Sequence, residues 1–347
     1  MTNQRWKRRP HGSNWGDFGP DDQLGRLNLI IREKRLQGLA EATEGISFCL
    51  SLPLDRPGGN ILSPRRFPPA LRPTIRDNRP NFNCVLVGDE SDCTDVFNDD
   101  LAILYLQYST QWDSLAHVGA QFDADGDGIA ERVYYNGFRA GAEIIGPTEV
   151  VDAGPAGQAS TSSARALGIE TMAAHGIQGR AVMVDLRAHF GDERRLVGYD
   201  DLMGVLKVDD VTVESGDVLC FHTGFAQRVL EMAAPDPAVL LGTCCVLNGR
   251  DRRLLDWISQ SGVAAIAADN FAVEAVPASA GADKCCSSLP LHEHCLFKNG
   301  IPLGELWHLT PLATWLRERG RSRFFLTAPP LRLPGAVGSP VTPIATV

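Results

Sequence analysis

The chain has 347 residues, 44% of them hydrophobic and 22% charged, the make-up of a globular protein with a sizeable core. Its formal net charge of −9 is unevenly spread: residues 1–80 hold 14 Lys and Arg against 8 Asp and Glu, and the remainder holds 19 against 34. An acidic body lacks the basic stripe that a nucleic-acid groove needs, no apolar run reaches the roughly 20 residues of a membrane span, and no 20–50-residue period marks a solenoid or propeller.

The basic start "MTNQRWKRRP" has the charge of an export signal but no apolar core after it, so a cytoplasmic protein is expected. That start reads as a surface or subunit contact. Nine cysteines, with adjacent pairs at Cys244–Cys245 and Cys285–Cys286 and no CxxC, read as reduced thiols. Residues 10–28 are irregular around Trp15, and a helix is predicted from Arg32 to Thr43, stopped by Gly45. "ISFCLSL" alternates as a half-buried strand. Residues 53–83 are rich in Pro and Arg and lack any period, which predicts a lid or a subunit arm. "LAILYLQY" is predicted as a strand leading into "QWDSLAHVG", and "VYYNGF" as a short strand or turn.

"DAGPAGQASTSS" reads as a linker and "ARALGIETMAAH" as a helix. The runs "AVMVDLR", "GDVLCFHTGF" and "VAAIAADN" are apolar throughout and predict strands covered on both faces. Helices are expected at "YDDLMGVLK", "GRDRRLLDWISQSG" and "HEHCLFKNG", and from Thr310–Pro311, an N-cap followed by a first helical position. "IPLGELW" is extended, and "SRFFLTA" is a last strand before a Pro-rich tail. This mixture predicts an α/β protein with a mixed sheet. No GxGxxG or GxxxxGK[ST] segment follows a strand, so there is no nucleotide cradle.

Two stretches carry candidate chemistry. Asp123, Asp125, Asp127 and Gly128 fill positions 1, 3, 5 and 6 of a calcium loop, but Tyr134 stands where the closing Glu belongs. An acidic turn and a structural calcium site are both open readings. Just upstream, Asp113 and His117 are four apart, on one face if the segment is helical, with Gln107 and Gln111 preceding at the same interval. Far downstream lie His292, His294 and Glu305. Carboxylates and imidazoles from separate segments are a common way of holding a catalytic metal. Trp112, Tyr134, Tyr135 and Phe67 are candidate substrate-pocket walls, and Arg65 and Arg66 are candidate partners for a product carboxylate. His222 reads as a core histidine, and Asp269 and Glu274 as groups that could orient a ligand.

The segments "WGDFGPDDQLGRLNLI", "YSTQWDSLAHVG", "YYNG", "GDVLCFHTGF", "AADNFAVE", "LPLHEHCLFKNGIPLGELW" and "APPLRLPGAVGSPVTPIA" span nearly the whole chain. Together they resemble the cyclase family of metal-dependent hydrolases, which includes bacterial kynurenine formamidases and isatin hydrolases, in its longer branch. The resemblance implies one mixed-sheet domain over residues 1–347, of the swivelling β/β/α type, with residues 53–83 as its lid or arm. The family motif HxGTHxDxPxH, aligned on its Asp, falls on Gln107, Gln111, Asp113, Leu115 and His117. The resemblance then implies metal ligation by Asp113, His292 and Glu305, with Gln111 and Gln107 where the family has histidines, and His117 as acid/base. One ion, manganese or zinc, would activate water for attack on an amide, cyclic amide or ester. It also implies a homodimer or homotetramer acting on a small molecule. Other readings stay open: a cyclase, dehydratase or lyase on the same scaffold, or a non-catalytic calcium- or ligand-binding protein with a decayed site.

Overall fold

Unbroken apolar strands need cover on both faces, and the sheet is built around three of them. A computed structural model describes residues 5–85, 94–154, 159–232, 236–278 and 286–347. Nine strands form one sheet: β1 (Ser47–Cys49), β2 (Gln111–Asp113), β3 (Gln178–Asp185), β4 (Val218–His222), β5 (Ala265–Ala268), β6 (Leu303–Glu305), β7 (Arg323–Thr327), β8 (Gly338–Pro340) and β9 (Ile344–Thr346). Their order is β1-β9-β7-β3-β4-β5-β6-β2-β8. β3 to β6 run parallel, and every other pairing is antiparallel. Because β1 and β9 pair, the sheet joins residues near both ends of the described chain into one mixed α/β domain.

Side chains alternate across the central strand β3. Val182 and Val184 join one apolar layer, with Leu202 and Val205 of α3 (Tyr199–Val208) and Leu254 and Ile258 of α4 (Arg252–Ser261). Ala181 and Met183 join the opposite layer, with Met172 of α2 (Ile169–His175) and Leu312 and Leu316 of α5 (Thr310–Glu318). The helix expected from Ala164 begins only at Ile169, because Leu167 takes φ +61 and interrupts it. The first helix, α1 (Arg32–Ala40), stops short of the expected Thr43. Of the reading "DAGPAGQASTSS" as a linker, residues 155–158 lie outside the described residues, as do residues 1–4 of the basic start and Cys285. The seven described cysteines are free. No helix among the described residues is long and apolar enough to cross a membrane.

The Pro- and Arg-rich segment differs from its expected irregularity. From residue 70 its described residues enter a small antiparallel ribbon of three separate short pairings, the outermost of which ends at residue 103. Ala70–Pro73 pairs with Asp100–Ile103, Ile75–Arg76 with Arg79–Pro80, and Cys84–Val85 with Val96–Phe97. "LAILYLQY" therefore contributes only its first residues to a strand, in the ribbon and not in the main sheet.

A buried charge cluster fastens α1 to the sheet. Arg180 donates two 2.9 Å bonds to Asp217, Lys34 lies 3.1 Å from the same carboxylate, and Glu214 bonds both cations. Asp217 has no exposed surface. Removing it leaves two buried cations short of their partner, a defect that costs about 3–5 kcal/mol. Asp217→Ala is therefore expected to lower unfolding stability by about that much in urea titration; a loss below about 1 kcal/mol would place it among exposed pairs.

Candidate metal centre

β2 lies between β6 and β8, and its three residues set the site. Gln111 and Asp113 point to one face and Trp112 to the other, as strand alternation requires. Antiparallel register puts Glu305 opposite Gln111, so both side chains share a face. On the far face Trp112 stacks edge-on against Trp307 at 5.0 Å. Gly304, opposite Trp112, permits that stack: a Cβ there would sit 2.8 Å from the Trp307 ring nitrogen. Trp112 is thus core, not a pocket wall.

His292 reaches the same place from the short helix Pro290–His292, which runs into a π-helical stretch, Glu293–Lys298. Glu274 fixes it. One oxygen accepts from His292 Nδ1 at 2.8 Å and from the His292 amide at 3.0 Å, and the other accepts from the Leu291 amide at 3.0 Å. Glu274 is delivered by two residues in left-handed conformation, Ala272 (φ +73) and Val273 (φ +60). Leu306, just after Glu305, is also left-handed at φ +56. A branched valine in that region is strained, and strain of this kind clusters at functional sites.

With Nδ1 committed to Glu274, Nε2 faces the cluster, 3.2 Å from Glu305 Oε1. Gln111 Nε2 donates to Glu305 Oε2 at 3.1 Å and lies 3.4 Å from Asp113 Oδ1. Burial would lower the His292 pKa, but hydrogen bonds to Glu274 and Glu305 outweigh it and push the pKa up to about 10. Burial would likewise raise Glu305, yet its bond to His292 holds it below the usual carboxylate range. Asp113 has no such partner, and burial, opposed by His117 and reinforced by Glu305, raises it to about 6.

The donor set fits a divalent cation. One ligand atom each from Asp113, His292 and Glu305 lies within 4.8 Å of the others, all three residues being buried. Asp113 Oδ2 and Gln111 Oε1 are buried with no hydrogen-bond partner. Buried orphan acceptors are costly, and a cation would satisfy them. The 3.2 Å contact between His292 Nε2 and Glu305 Oε1 lies where such an ion would bind. Glu274 is the carboxylate behind the histidine, an arrangement that orients metal-bound imidazoles.

His117 lies at the exposed edge of the cluster. The expected helix is absent: after β2 the chain turns, with the His117 amide bonded to the Ser114 carbonyl. The turn still returns His117 Nε2 to 3.8 Å from Asp113 Oδ1, and the imidazole is 21% exposed. Gln107 is half-buried, its amide beside Gly338, the residue opposite Asp113 on β8. Arg66 donates to the Gln107 carbonyl at 2.7 Å, whereas Arg65 is exposed. Phe67 is exposed and rests on Tyr105 at 5.5 Å. Tyr134 borders a shallow groove with Gly119 to Gln121, while Tyr135 is fully buried in the core.

His294 is neither a surface residue nor part of the cluster. It is buried against Ser259 and Asn299, and burial together with Lys298 and Arg26 lowers its pKa to about 4. His222 is bonded at both ring nitrogens, to Asp185 at 2.7 Å and Thr310 at 3.0 Å, as a core histidine would be. Asp269 caps the turn at Thr223 and Gly224 and touches no candidate ligand. The Asp123–Gly128 loop joins the paired strands Ala120–Phe122 and Glu131–Val133, with no helix flanking it. Its three carboxylates approach within 4.8 Å. They also cap the loop's own amides, and Arg8 contacts Asp123 at 2.8 Å.

A family profile described as "Putative cyclase" matches residues 50–275. The chain belongs to the cyclase family. A crystal structure of a novel cyclase is 30% identical, with a TM-score of 0.73 over 98% of this chain and 99% of that one. Isatin hydrolase A from Ralstonia solanacearum matches at 16% identity and TM-score 0.52, over 89% and 94% of the two chains. An isatin hydrolase bound to the product analogue thioisatinate matches at 13% and 0.54, over 91% and 99%. No curated protein matches. Against the motif of this cyclase family, the departures at Gln107 and Gln111 are physical features of the site: one amide donates to Glu305 and the other lines the approach to Asp113.

Two substitutions separate ligand from support. Asp113→Ala should abolish stoichiometric divalent metal in elemental analysis of protein purified without chelator. Glu274→Gln should weaken metal affinity by about 10–100-fold while the fold persists. Full metal content in Asp113→Ala would remove it from the ligand set.

Proposed function

We propose that this protein is a metal-dependent hydrolase that cleaves an amide, cyclic amide or ester bond in a small, partly aromatic molecule. The observation that carries the reading is the convergence of Asp113, His292 and Glu305 beneath a partly exposed imidazole, His117. Proteins sharing the fold are named isatin hydrolases, and isatin is a cyclic amide. That likeness supports the substrate class without carrying it.

Asp113 Oδ2, His292 Nε2 and Glu305 would hold one divalent cation, with Gln111 Oε1 as a further neutral oxygen donor. A set with one nitrogen and otherwise oxygen favours manganese over zinc. One ion is favoured over two because the Gln111 amide nitrogen already lies between Glu305 and Asp113, where it supplies the positive dipole that a second ion would bring. When bound, the ion supplies Lewis acidity for a carbonyl and lowers the pKa of water.

His117 takes the proton from the attacking water and returns it to the leaving nitrogen or oxygen. Imidazole suits both halves of that task because one ring nitrogen can accept a proton and later donate it. Asp113 Oδ1, 3.8 Å away, steadies the imidazolium in between. Arg66, held at the Gln107 carbonyl, places a cation near Asp113 and Glu305, suited to a carboxylate as it forms. Phe67 and Tyr105 offer an apolar shelf beside it.

His117→Ala should keep its metal and lose about 100–10,000-fold in turnover, the usual worth of a general acid–base. Reaction in 18O-water should place one label in the product carboxylate. Undiminished turnover in the variant would reject His117 as the base, and an unlabelled product would replace hydrolysis by ring closure or elimination.

A further inference from the structure

The loop that carries Arg66 is gripped along its length by the residues that lead into β2, and the grip runs in reverse order. The Phe67 ring rests on Tyr105 at 5.5 Å, and Arg66 donates to the Gln107 carbonyl at 2.7 Å. Tyr108 then meets Gly58 and Gly59. Ser109 Oγ donates to the Pro53 carbonyl at 3.4 Å, and the Leu52 amide donates to Thr110 Oγ1 at 2.8 Å. The last contact falls one residue before Gln111, so the loop is registered against the strand that supplies Asp113.

Tyr108 makes the doubled contact of the series. Its hydroxyl accepts from the Gly58 amide at 2.9 Å and donates to the Gly59 carbonyl at 2.9 Å. One oxygen thus closes both sides of a turn, using the two capacities of a phenol. Gly58 and Gly59 take φ +92 and +55, a backbone hand that other residues rarely adopt. The tyrosine is 6% exposed, and burial raises its pKa, which keeps the hydroxyl a donor. Just past the turn, Ile61 and Leu62 pack on the apolar cluster of Leu52, Phe225 and Leu306, fixing the chain on its way to Arg66.

Arg66 is what this grip delivers. It is half-buried, and its charge lowers the pKa of both Asp113 and Glu305. Among the described residues, no carboxylate pairs with it; its bond goes to a backbone carbonyl. A guanidinium so placed keeps donors for an anionic oxygen of a ligand.

We propose that Tyr108 is a positioning residue: by clamping the Gly58–Gly59 turn it holds Arg66 where a carboxylate of the bound molecule is recognised. The proposal rests on the functional reading above, in which Arg66 meets a carboxylate, and names the residue that sets how well it does so.

Titration calorimetry of the full chain saturated with manganese tests it, with benzoate as the anionic probe and benzamide as its neutral counterpart. The wild type should prefer benzoate. Arg66→Gln should weaken benzoate by about 10–100-fold, the worth of a hydrogen bond to a charged group, and leave benzamide unchanged. Tyr108→Phe should weaken benzoate by about five- to tenfold, again sparing benzamide. It should cost nothing further in the Arg66→Gln background, because residues that act through one another are not additive. In the wild type, with no substitution to disturb folding, benzoate should slow hydrogen exchange at the Gly58 amide and benzamide should not. Equal wild-type affinity for the two probes would overturn the proposal. So would a Tyr108→Phe loss shared by benzamide, one that persists in full without Arg66, or Gly58 exchange indifferent to benzoate. Binding is read without turnover, so an inactive protein with the expected selectivity would support the positioning role and count against the hydrolase reading.

Discussion

Three carboxylates, Asp113, Glu274 and Glu305, are buried around one imidazole. Burying that much negative charge is affordable only where each oxygen is answered. Glu274 is answered by two amides and His292, and Glu305 by His292 and Gln111. Asp113 is answered on one oxygen only, by a long contact to Gln111 and the more distant His117, and its other oxygen has nothing. This deficit, together with the orphaned Gln111 Oε1, suits the cluster to a cation better than to a closed structural network. Much of the surrounding structure serves to create it: strained residues deliver Glu274 and follow Glu305, and a π-helical stretch follows His292.

The sheet explains why the deficit can persist. β2 and β6 are short and flanked on both sides by other strands, so their backbones cannot shift to relieve Asp113. The Trp112–Trp307 stack anchors the opposite face. Asp185, His222, Asp269 and Glu305 all stand at the carboxyl ends of the parallel strands, the edge at which α/β sheets bind ligands. The first three have found partners within the chain, in His222 and Arg317, Asp185 and Thr310, and Thr223 and Gly224. Glu305 alone shares its face with Gln111 and Asp113.

The central strands were legible because uninterrupted apolar runs leave few alternatives once length is counted. The same residues did not reveal order or register. Nothing local in "IPLGELW" shows that it lies beside "QWD", which is 194 residues away as measured from Gln111 to Glu305. Reading Asp113 and His117 as one helical face brought the right residues together by the wrong geometry. A strand followed by a turn achieves the same approach. That error also misplaced Trp112, since in a strand a residue beside Asp113 must point away from it. The ribbon was hidden because its strands are two to four residues long and carry no alternation that a sequence pattern can register. Glu274 was legible as a residue that could orient a ligand; Asp269, read the same way, proved to cap a turn.

The central claim is that one cation, and only one, completes the Asp113–His292–Glu305 cluster. Anomalous diffraction from crystals grown with manganese, recorded on both sides of the manganese absorption edge, tests it directly. The account predicts a single strong peak bonded to Asp113 Oδ2, His292 Nε2 and a Glu305 oxygen. Two peaks there, or none while Asp113 Oδ2 gains a protein partner instead, would contradict it.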